Sequence, residues 1–187
     1  MRAKQVKDFN KIAYIFDFDD TLVKTNANIY ILKRGKITKK ITPNELNNYI
    51  LKKDEEFDFK DFSDPLLILS AKKYKEWPTL LNVYKNKIMY HLNVDIYILT
   101  ARDNKSKYPI LTLLKRNNII IPENNIITIG DEIRSSQKNR KTIIPKLKYK
   151  YLKKLSKYYN KLYFYDDSKD NIQITKNINN LNVKLVD

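Results

Sequence analysis

The chain has 187 residues, which suits one domain with a modest insertion, and 42% of its residues are hydrophobic, enough for a real core. It has no cysteine and one histidine, which excludes disulfide frameworks, thiolate metal sites and histidine-rich metal cages. The formal net charge of +16 fits a protein that binds nucleic acid or another polyanion, but the excess is almost all lysine, which an AT-rich genome would also produce.

The sequence gives no sign of a membrane segment. Its apolar runs are far shorter than the roughly 18 residues of a membrane-spanning helix. The polar stretch at residues 1–8 lacks the apolar region of a signal peptide. We therefore expect a cytoplasmic protein that does not bind membranes.

The first predicted elements are a buried strand and a hairpin. Residues 11–17 form a short apolar run bounded by charge, which is typical of a strand buried in a sheet. Residues 28–33 and 36–41 flank Arg34-Gly35, a pattern that predicts a β-hairpin in which Gly35 takes a positive φ. The hairpin begins an insertion that follows the first strand.

The rest of the insertion is predicted to be one helix and a connection. Thr42-Pro43-Asn44-Glu45 is typical of a helix N-terminus and predicts a helix over about 43–52. Residues 53–64 are acidic and aromatic, and we interpret them as irregular. No linker is long enough to separate two domains, so we predict a single domain over 1–187 with a small cap at about 24–77.

From Pro78 onward, the pattern of helices alternating with short apolar strands is regular. His91, near the end of the first of these helices, is interpreted as a cap in its last turn. Such alternation predicts an α/β fold with a central parallel sheet covered on both faces, whose ligands bind at the carboxyl ends of the strands. The predicted elements are helices over 79–92, 107–117, 146–158 and 169–177, and strands over 94–99, 125–129, 161–165 and 181–186.

Polar residues follow three of the predicted strands. These are Asp17-Phe18-Asp19-Asp20-Thr21, Thr100-Ala101-Arg102 and Asp166-Asp167-Ser168. Alternation along the first strand would place Asp17 and Asp19 on the same side, where they repel each other unless a cation lies between them. Mg²⁺ prefers such oxygen ligands. Each run alone could simply cap a turn or a helix, but together they indicate one site.

These motifs resemble those of the haloacid dehalogenase-like (HAD) phosphohydrolase superfamily. Asp17-Phe18-Asp19-Asp20-Thr21-Leu22 is similar to its first motif, Ile98-Leu99-Thr100-Ala101-Arg102 to its second, and Phe164-Tyr165-Asp166-Asp167-Ser168 to its fourth. The third motif is a single lysine upstream of the fourth. The resemblance runs from about residue 11 to the C-terminus, and it implies a Rossmann-like three-layer fold and a phosphatase.

The resemblance also implies roles for particular residues. Asp17 would attack phosphorus and become an aspartyl-phosphate, while Asp19 would protonate the leaving group and later activate water. Thr100 would donate a hydrogen bond to a phosphoryl oxygen. Mg²⁺ would be bound by Asp17, by the main-chain carbonyl of Asp19 and by an aspartate of the fourth motif.

Two alignments of the fourth motif differ in the metal ligand that they imply. One alignment ends at Asn171 and makes Asp167 the ligand, with Asp166 in support. The other alignment pairs Asp166 with Asp170. We prefer Asp167.

The third-motif lysine must be chosen among several on one predicted helix. In a helix that starts near Pro145, Lys148 lies one turn before Leu152 and within the apolar stripe. Lys146 and Lys150 point away from that stripe. We therefore predict Lys148 as the catalytic lysine, with Lys146 as the alternative and a solvated lysine as the structural interpretation.

Three residues near these motifs are candidate substrate contacts. Arg102 could bind a phosphate through its planar fork, and the phosphatase half of some polynucleotide kinase-phosphatases has a similar arginine; otherwise it is a surface residue in a capping turn. Thr21 and Ala101 are assigned to substrate binding by the same resemblance.

The insertion is too small for a full helical cap, so we expect an open or lightly covered site. Tyrosines within 149–159 could stack on bases, although helix packing also explains Tyr151 and Tyr158. Basic side chains that could attract a macromolecular substrate are Lys33, Arg34, Lys36, Lys39 and Lys40 in the hairpin and Arg134, Lys138, Arg140 and Lys141 later in the chain.

These features support three hypotheses of function. The first is a Mg²⁺-dependent phosphomonoesterase that acts on nucleotide or polynucleotide phosphate ends, resembling small-cap HAD proteins of phages and large viruses, which would place it in a host cytoplasm. The second is a phosphatase for small metabolites, with incidental basic charge. The third is a non-catalytic nucleic-acid-binding module on a HAD scaffold, against which the intact motif residues count.

Overall fold

A computed structural model describes residues 11–46, 48–133 and 140–187 of the chain. The strands are β1 (Ile12–Phe16), β2 (Val23–Lys24), β3 (Ile29–Lys33), β4 (Lys36–Ile41), β5 (Glu55–Asp58), β6 (Lys72–Lys73), β7 (Val94–Thr100), β8 (Ile126–Thr128), β9 (Lys161–Asp166) and β10 (Leu181–Leu185). The helices are α1 (Pro43–Leu46), α2 (Pro65–Leu69), α3 (Trp77–Met89), α4 (Lys107–Arg116), α5 (Gly130–Ile133), α6 (Arg140–Leu155) and α7 (Lys169–Thr175).

A five-stranded parallel sheet forms the centre of the fold, with strand order β10-β9-β1-β7-β8. Phe16 pairs with Ile98 of β7 on one side and with Tyr165 of β9 on the other. The carboxyl ends of these three strands therefore lie side by side. The predicted α/β, Rossmann-like fold with a central parallel sheet is confirmed.

Successive strand residues point to opposite sides of the sheet, and both faces carry apolar side chains. Helices therefore pack on both faces. Ile98 packs in a core cluster with side chains of α3 and α4, whereas its neighbour Leu99 packs in a second cluster with Leu152 of α6 and Ile172 of α7. The result is three layers, helix, sheet and helix.

The insertion contains the predicted hairpin and a strand that we did not predict. Antiparallel β3 and β4 are joined through Arg34 and Gly35, and Gly35 has the expected positive φ of 74°. β5 pairs with the other edge of β3, so part of the 53–64 segment is regular rather than irregular. Strands β2 and β6 pair where the insertion begins and ends.

The helix that we predicted over 43–52 is much shorter in the structure. It is the single turn α1, after which Tyr49 packs against Phe57 and donates a hydrogen bond to Glu55. Asparagine is a weak helix former, and the contacts of the half-buried Tyr49 stabilise a non-helical path.

The later helices agree with prediction in type and differ at their ends. α3 runs from Trp77 to Met89, so His91 lies beyond it, exposed and with φ of 49°, rather than in its last turn. α6 contains Pro145 instead of starting there. In the described ranges, none of the helices is long and apolar enough to cross a membrane.

A polar network lies at the amino end of the sheet. The Tyr159 hydroxyl donates to Asp95 at 2.6 Å and lies 2.6 Å from the Tyr97 hydroxyl. Lys11 forms an ion pair with the same carboxylate at 2.8 Å. Burial, together with the bond to Asp95, raises the pKa of Tyr159 well above its ordinary value, so this hydroxyl stays protonated and donates.

We expect Tyr159→Phe to lower the free energy of unfolding by about 1–3 kcal/mol, because Asp95 loses a buried donor. Urea unfolding measures the change, with Tyr158→Phe, an exposed tyrosine one position away, as the matched control. Equal stabilities of the two variants would show that the network contributes nothing.

Candidate active site

The chain turns sharply after β1, and this turn separates two aspartates from the core. The main-chain N–H groups of Leu22 and Val23 both donate to the carbonyl of Phe18 at 3.0 Å, and Asp20 has a positive φ of 55°. Phe18 is buried in the core, whereas Asp17 and Asp19 line a cleft at the carboxyl end of the sheet. The alternation expected from the sequence is therefore present.

Lys148 lies between two carboxylates and is part of the lining of this cleft. Its Nζ is 2.5 Å from Oδ1 of Asp17 and 2.7 Å from Oδ2 of Asp166, and the residue is 2% exposed. α6 provides the lysine, Asp17 directly follows β1, and Asp166 is the last residue of β9. Burial alone would favour the neutral amine, but the charges of Asp166 and Asp17 raise the pKa of Lys148 above its ordinary value. The structure brings Lys148, and not the exposed Lys146, to this position.

The aspartate that ends β9, Asp166, and the one that follows it, Asp167, have different environments. Asp166 is fully buried and accepts hydrogen bonds from Asn171 Nδ2 at 2.9 Å, from the Ser168 N–H at 2.9 Å and from Lys148. These donors engage both of its oxygens, which favours Asp167 over Asp166 as a metal ligand; the supporting role of Asp166 in metal binding stays a prediction. Asp167 is exposed and lines the cleft. The fourth motif is thus arranged as in the alignment that ends at Asn171.

Negative charge is crowded at this end of the sheet. Burial raises the pKa of Asp17 well above its ordinary value; Lys148 lowers it, and the charges of Asp166 and Asp167 raise it further. Partial loss of water around Asp167, with the charge of Asp166, raises the pKa of Asp167 to about 6. Both shifts indicate that a cation would stabilise the ionised carboxylates.

The residues present fit Mg²⁺ better than a metal that needs a full set of side-chain ligands. No group of three or more acidic or histidine side chains that could hold a metal ion occurs in the part of the chain described. Asp17, Asp167 and the main-chain carbonyl of Asp19 are the candidates, and Mg²⁺ ordinarily keeps several waters beside one or two carboxylates.

Asp19 is paired with Arg102. Nε of Arg102 donates to Oδ2 of Asp19 at 2.8 Å, and Nη2 donates to Oδ1 at 2.6 Å. We predicted that this arginine would bind substrate phosphate or lie on the surface; it is instead buried with its fork on the carboxylate.

The other residues predicted to contact substrate differ in their exposure to the cleft. Ala101 lines the cleft. Thr100 is buried, and its hydroxyl oxygen accepts a hydrogen bond from the Arg102 N–H at 3.2 Å. Thr21 is 0% exposed, which leaves no surface for the substrate contact that we predicted; among the described residues, its hydroxyl has no hydrogen-bond partner.

Sequence reasoning missed the contribution of Gly130. A Cβ at this position would lie 2.6 Å from the carbonyl carbon of Arg102 and 2.6 Å from the nitrogen of Asp103. The Gly130 N–H donates to the Arg102 carbonyl at 2.9 Å, which holds the start of α5 against the loop after β7. A glycine after a strand, in a chain with only 2 glycines, was the available signal.

The cleft has a volume of about 1060 Å³, and the insertion forms one of its walls. The sheet side contributes the aspartates, Ala101, Arg102 and Lys148. The insertion side is mostly apolar and aromatic, with Ile29, Leu32, Pro43, Leu46, Tyr49, Phe57, Phe59 and Phe62. Residues 134–139, which include Arg134 and Lys138, lie outside the described residues, as do the side chains of Arg140 and Lys141.

No protein-family model matches the chain, and no curated protein matches it. Among solved structures, it is similar to the HAD domain of the effector protein Lem4 from Legionella pneumophila. The inactive mutant of that domain gives a TM-score of 0.47 and 13% identity, over 94% of this chain and 85% of that one. A second structure of the domain gives 0.45 and 14%, over 94% and 87%.

Removing the Lys148 charge should destabilise the fold in a pH-dependent way. In the presence of a chelator, we expect Lys148→Met to cost about 3–5 kcal/mol near neutral pH, because two buried carboxylates lose their cation. A carboxyl whose pKa is higher in the folded state than in the unfolded state contributes stability below its unfolded pKa and loses it as the pH rises.

The pKa of Asp17 is already raised and would rise further in this variant. The deficit relative to the wild type should therefore grow from about pH 4 to about pH 7. Urea unfolding across this range measures it. Lys150→Met is the control, since Lys150 is exposed and pairs with Glu132 at 3.2 Å. A deficit that does not change with pH would contradict the assigned cause.

Proposed function

We propose that this protein is a Mg²⁺-dependent phosphomonoesterase of the HAD type, in which Asp17 is the nucleophile. The observation that carries the proposal is the buried ammonium of Lys148 between Asp17 and Asp166, with Asp167 beside them in the cleft. A lysine fixed on one oxygen of Asp17 would leave the other free to point at a phosphorus atom. The HAD-like motifs at the same three strand ends support this assignment.

The chemistry would proceed in two displacements. An oxygen of Asp17 attacks phosphorus and the bond to the leaving oxygen breaks, while Asp19 gives that oxygen a proton. Asp19 then takes a proton from water, whose oxygen attacks phosphorus, and inorganic phosphate leaves as the Asp17 carboxylate is restored. Lys148 would hold Asp17 in place through both steps. Mg²⁺ bound by Asp17, Asp167 and the Asp19 carbonyl would neutralise negative charge on the nucleophile and the phosphoryl group.

The substrate that we propose is a nucleotide or a polynucleotide phosphate end. The aromatic wall of the insertion could stack on a base, because every base presents a π-face to such rings. The exposed hairpin cations Lys33, Arg34, Lys36, Lys39 and Lys40 could attract a polyanion.

A small-metabolite phosphatase is the second candidate. The observation that favours it is the charge of the cleft itself. Glu56, Asp58, Asp64 and Asp170 line it together with the motif aspartates, and such a wall repels the backbone of a nucleic acid.

The activity is tested with a generic aryl phosphate. We expect turnover that requires Mg²⁺ and is lost in Asp17→Asn, because an amide cannot act as the nucleophile. Asp54→Asn is the matched control, since Asp54 is exposed in the insertion and has a positive φ that asparagine tolerates. A folded wild type that hydrolyses no phosphate ester would refute the enzyme hypotheses and favour a binding module.

The substrate class is tested with pairs that share a leaving group. Thymidine 5′-phosphate and deoxyribose 5-phosphate share the sugar phosphate, and only the first carries a base. We expect a lower KM for the nucleotide, and we expect Phe59→Leu to abolish this difference in KM. A 3′-phosphorylated oligonucleotide should exceed thymidine 3′-phosphate in kcat/KM, with an advantage that falls as salt rises. Equal values for the first pair would favour the metabolite candidate. An oligonucleotide with no advantage in kcat/KM would exclude a polynucleotide as the preferred substrate.

A further inference from the structure

The contacts of Arg102 extend beyond Asp19 to the insertion. Its Nη1 donates to the main-chain carbonyl of Phe62, and its Nη2 lies 3.3 Å from the hydroxyl of Thr25. The guanidinium carbon is 5.2 Å from the centre of the Phe62 ring and 5.5 Å from that of Phe18. The side chain is therefore enclosed by two rings, a carboxylate and a carbonyl.

This enclosure fixes where the Asp19 carboxylate can lie. A buried guanidinium is tolerated only when its donors are satisfied, so the pair resists separation. Two parallel hydrogen bonds also define the plane of the carboxylate, which a single point charge such as lysine does not do. All three guanidinium nitrogens of Arg102 are engaged by protein groups, which argues against a phosphate as their partner.

The loop after β7, which contains Arg102, forms two more hydrogen bonds with the insertion. The Ser106 hydroxyl donates to the Phe62 carbonyl at 3.0 Å, so this carbonyl accepts from both Ser106 and Arg102. The Ser63 hydroxyl donates to Oδ2 of Asp103 at 2.7 Å. Displacement of the Phe62–Ser63 turn would therefore disturb the arginine and, through it, Asp19.

We propose that Arg102 is a positioning residue for Asp19 and that its bond to Phe62 makes the placement of this carboxylate depend on the insertion. The proposal rests on the proposed function, in which Asp19 is the acid and base. Its consequence is specific to the leaving group. An alkoxide needs a proton as it departs, whereas p-nitrophenolate does not, so misplacement of Asp19 should slow only the first.

The test measures formation of the phosphoenzyme from p-nitrophenyl phosphate and from an alkyl phosphate in single-turnover reactions. For Arg102→Met and Arg102→Lys we expect about a hundredfold loss of rate with the alkyl ester and a change of less than about threefold with the aryl ester, the pattern also expected of Asp19→Asn. If Arg102 bound the phosphate, the same substitutions would instead weaken the binding of both esters and of inorganic phosphate equally. That result would overturn the proposal.

The link to the insertion has its own variants. Ser106→Ala and Ser63→Ala each remove a hydrogen bond between the loop and the insertion, and neither serine contacts Asp19. Each variant should give a smaller loss of rate, confined to the alkyl ester. Thr38→Ala is the control, because it removes one hydrogen bond, to the Ile31 carbonyl at 3.1 Å, elsewhere in the insertion. Equal effects of the three serine and threonine variants would refute the coupling.

A readout independent of turnover separates this proposal from the proposed function. In a double-mutant cycle of urea unfolding, Arg102→Met and Asp19→Asn should be non-additive by about tenfold in the unfolding equilibrium constant. Additivity would show that the pair is not coupled, even in an active enzyme. Coupling in a protein that hydrolyses no ester would keep the pairing and refute the proposed function instead.

Discussion

The ammonium of Lys148, buried between Asp17 and Asp166, is the interaction on which the site depends. The three charged groups come from the end of β1, from β9 and from α6, so their distances are set by how the helix packs on the sheet. An uncompensated charge at this depth is strongly destabilising, and every member therefore requires the others. Asn171 and the Ser168 N–H satisfy the remaining capacity of Asp166, which anchors α7 to the same point.

Asp17 and Asp19 reach the same cleft because side chains alternate in direction along this stretch of the chain. Phe18 points into the core, and its neighbours reach the cleft with different cationic partners. Asp17 is paired with a lysine from the body of the fold, whereas Asp19 is paired with an arginine that also contacts the insertion. One carboxylate therefore depends on the packing of the sheet and helices, and the other on the placement of the insertion.

The features that the sequence predicts are those with local signals. Short apolar strands between amphipathic helices predict the parallel sheet, and the place of Lys148 in an apolar stripe predicts its burial. β5 is invisible to such reasoning because Glu55-Glu56-Phe57-Asp58 has one apolar residue and is stabilised by pairing with distant β3. The partner of Arg102 is missed for the same reason, since neither Asp19 nor Phe62 is near it in sequence. Gly130 is required by a close approach of two backbones; its place after a strand is a local signal, but the partner segment at Arg102 and Asp103 is distant in sequence.

The charge of the whole chain and the charge of the cleft lead to different expectations about an anionic ligand. Exposed lysines such as those of β4 contribute to a net charge of +16, and they act on a ligand at long range. Within the cleft, the buried cations Lys148 and Arg102 are already paired with carboxylates, and acidic side chains outnumber basic ones among its described lining residues. An incoming phosphate dianion would therefore be repelled by the described groups that should receive it. A cation bound by Asp17 and Asp167 would neutralise the two carboxylates nearest the phosphorus, and this electrostatic requirement makes Mg²⁺ an integral part of the proposed function.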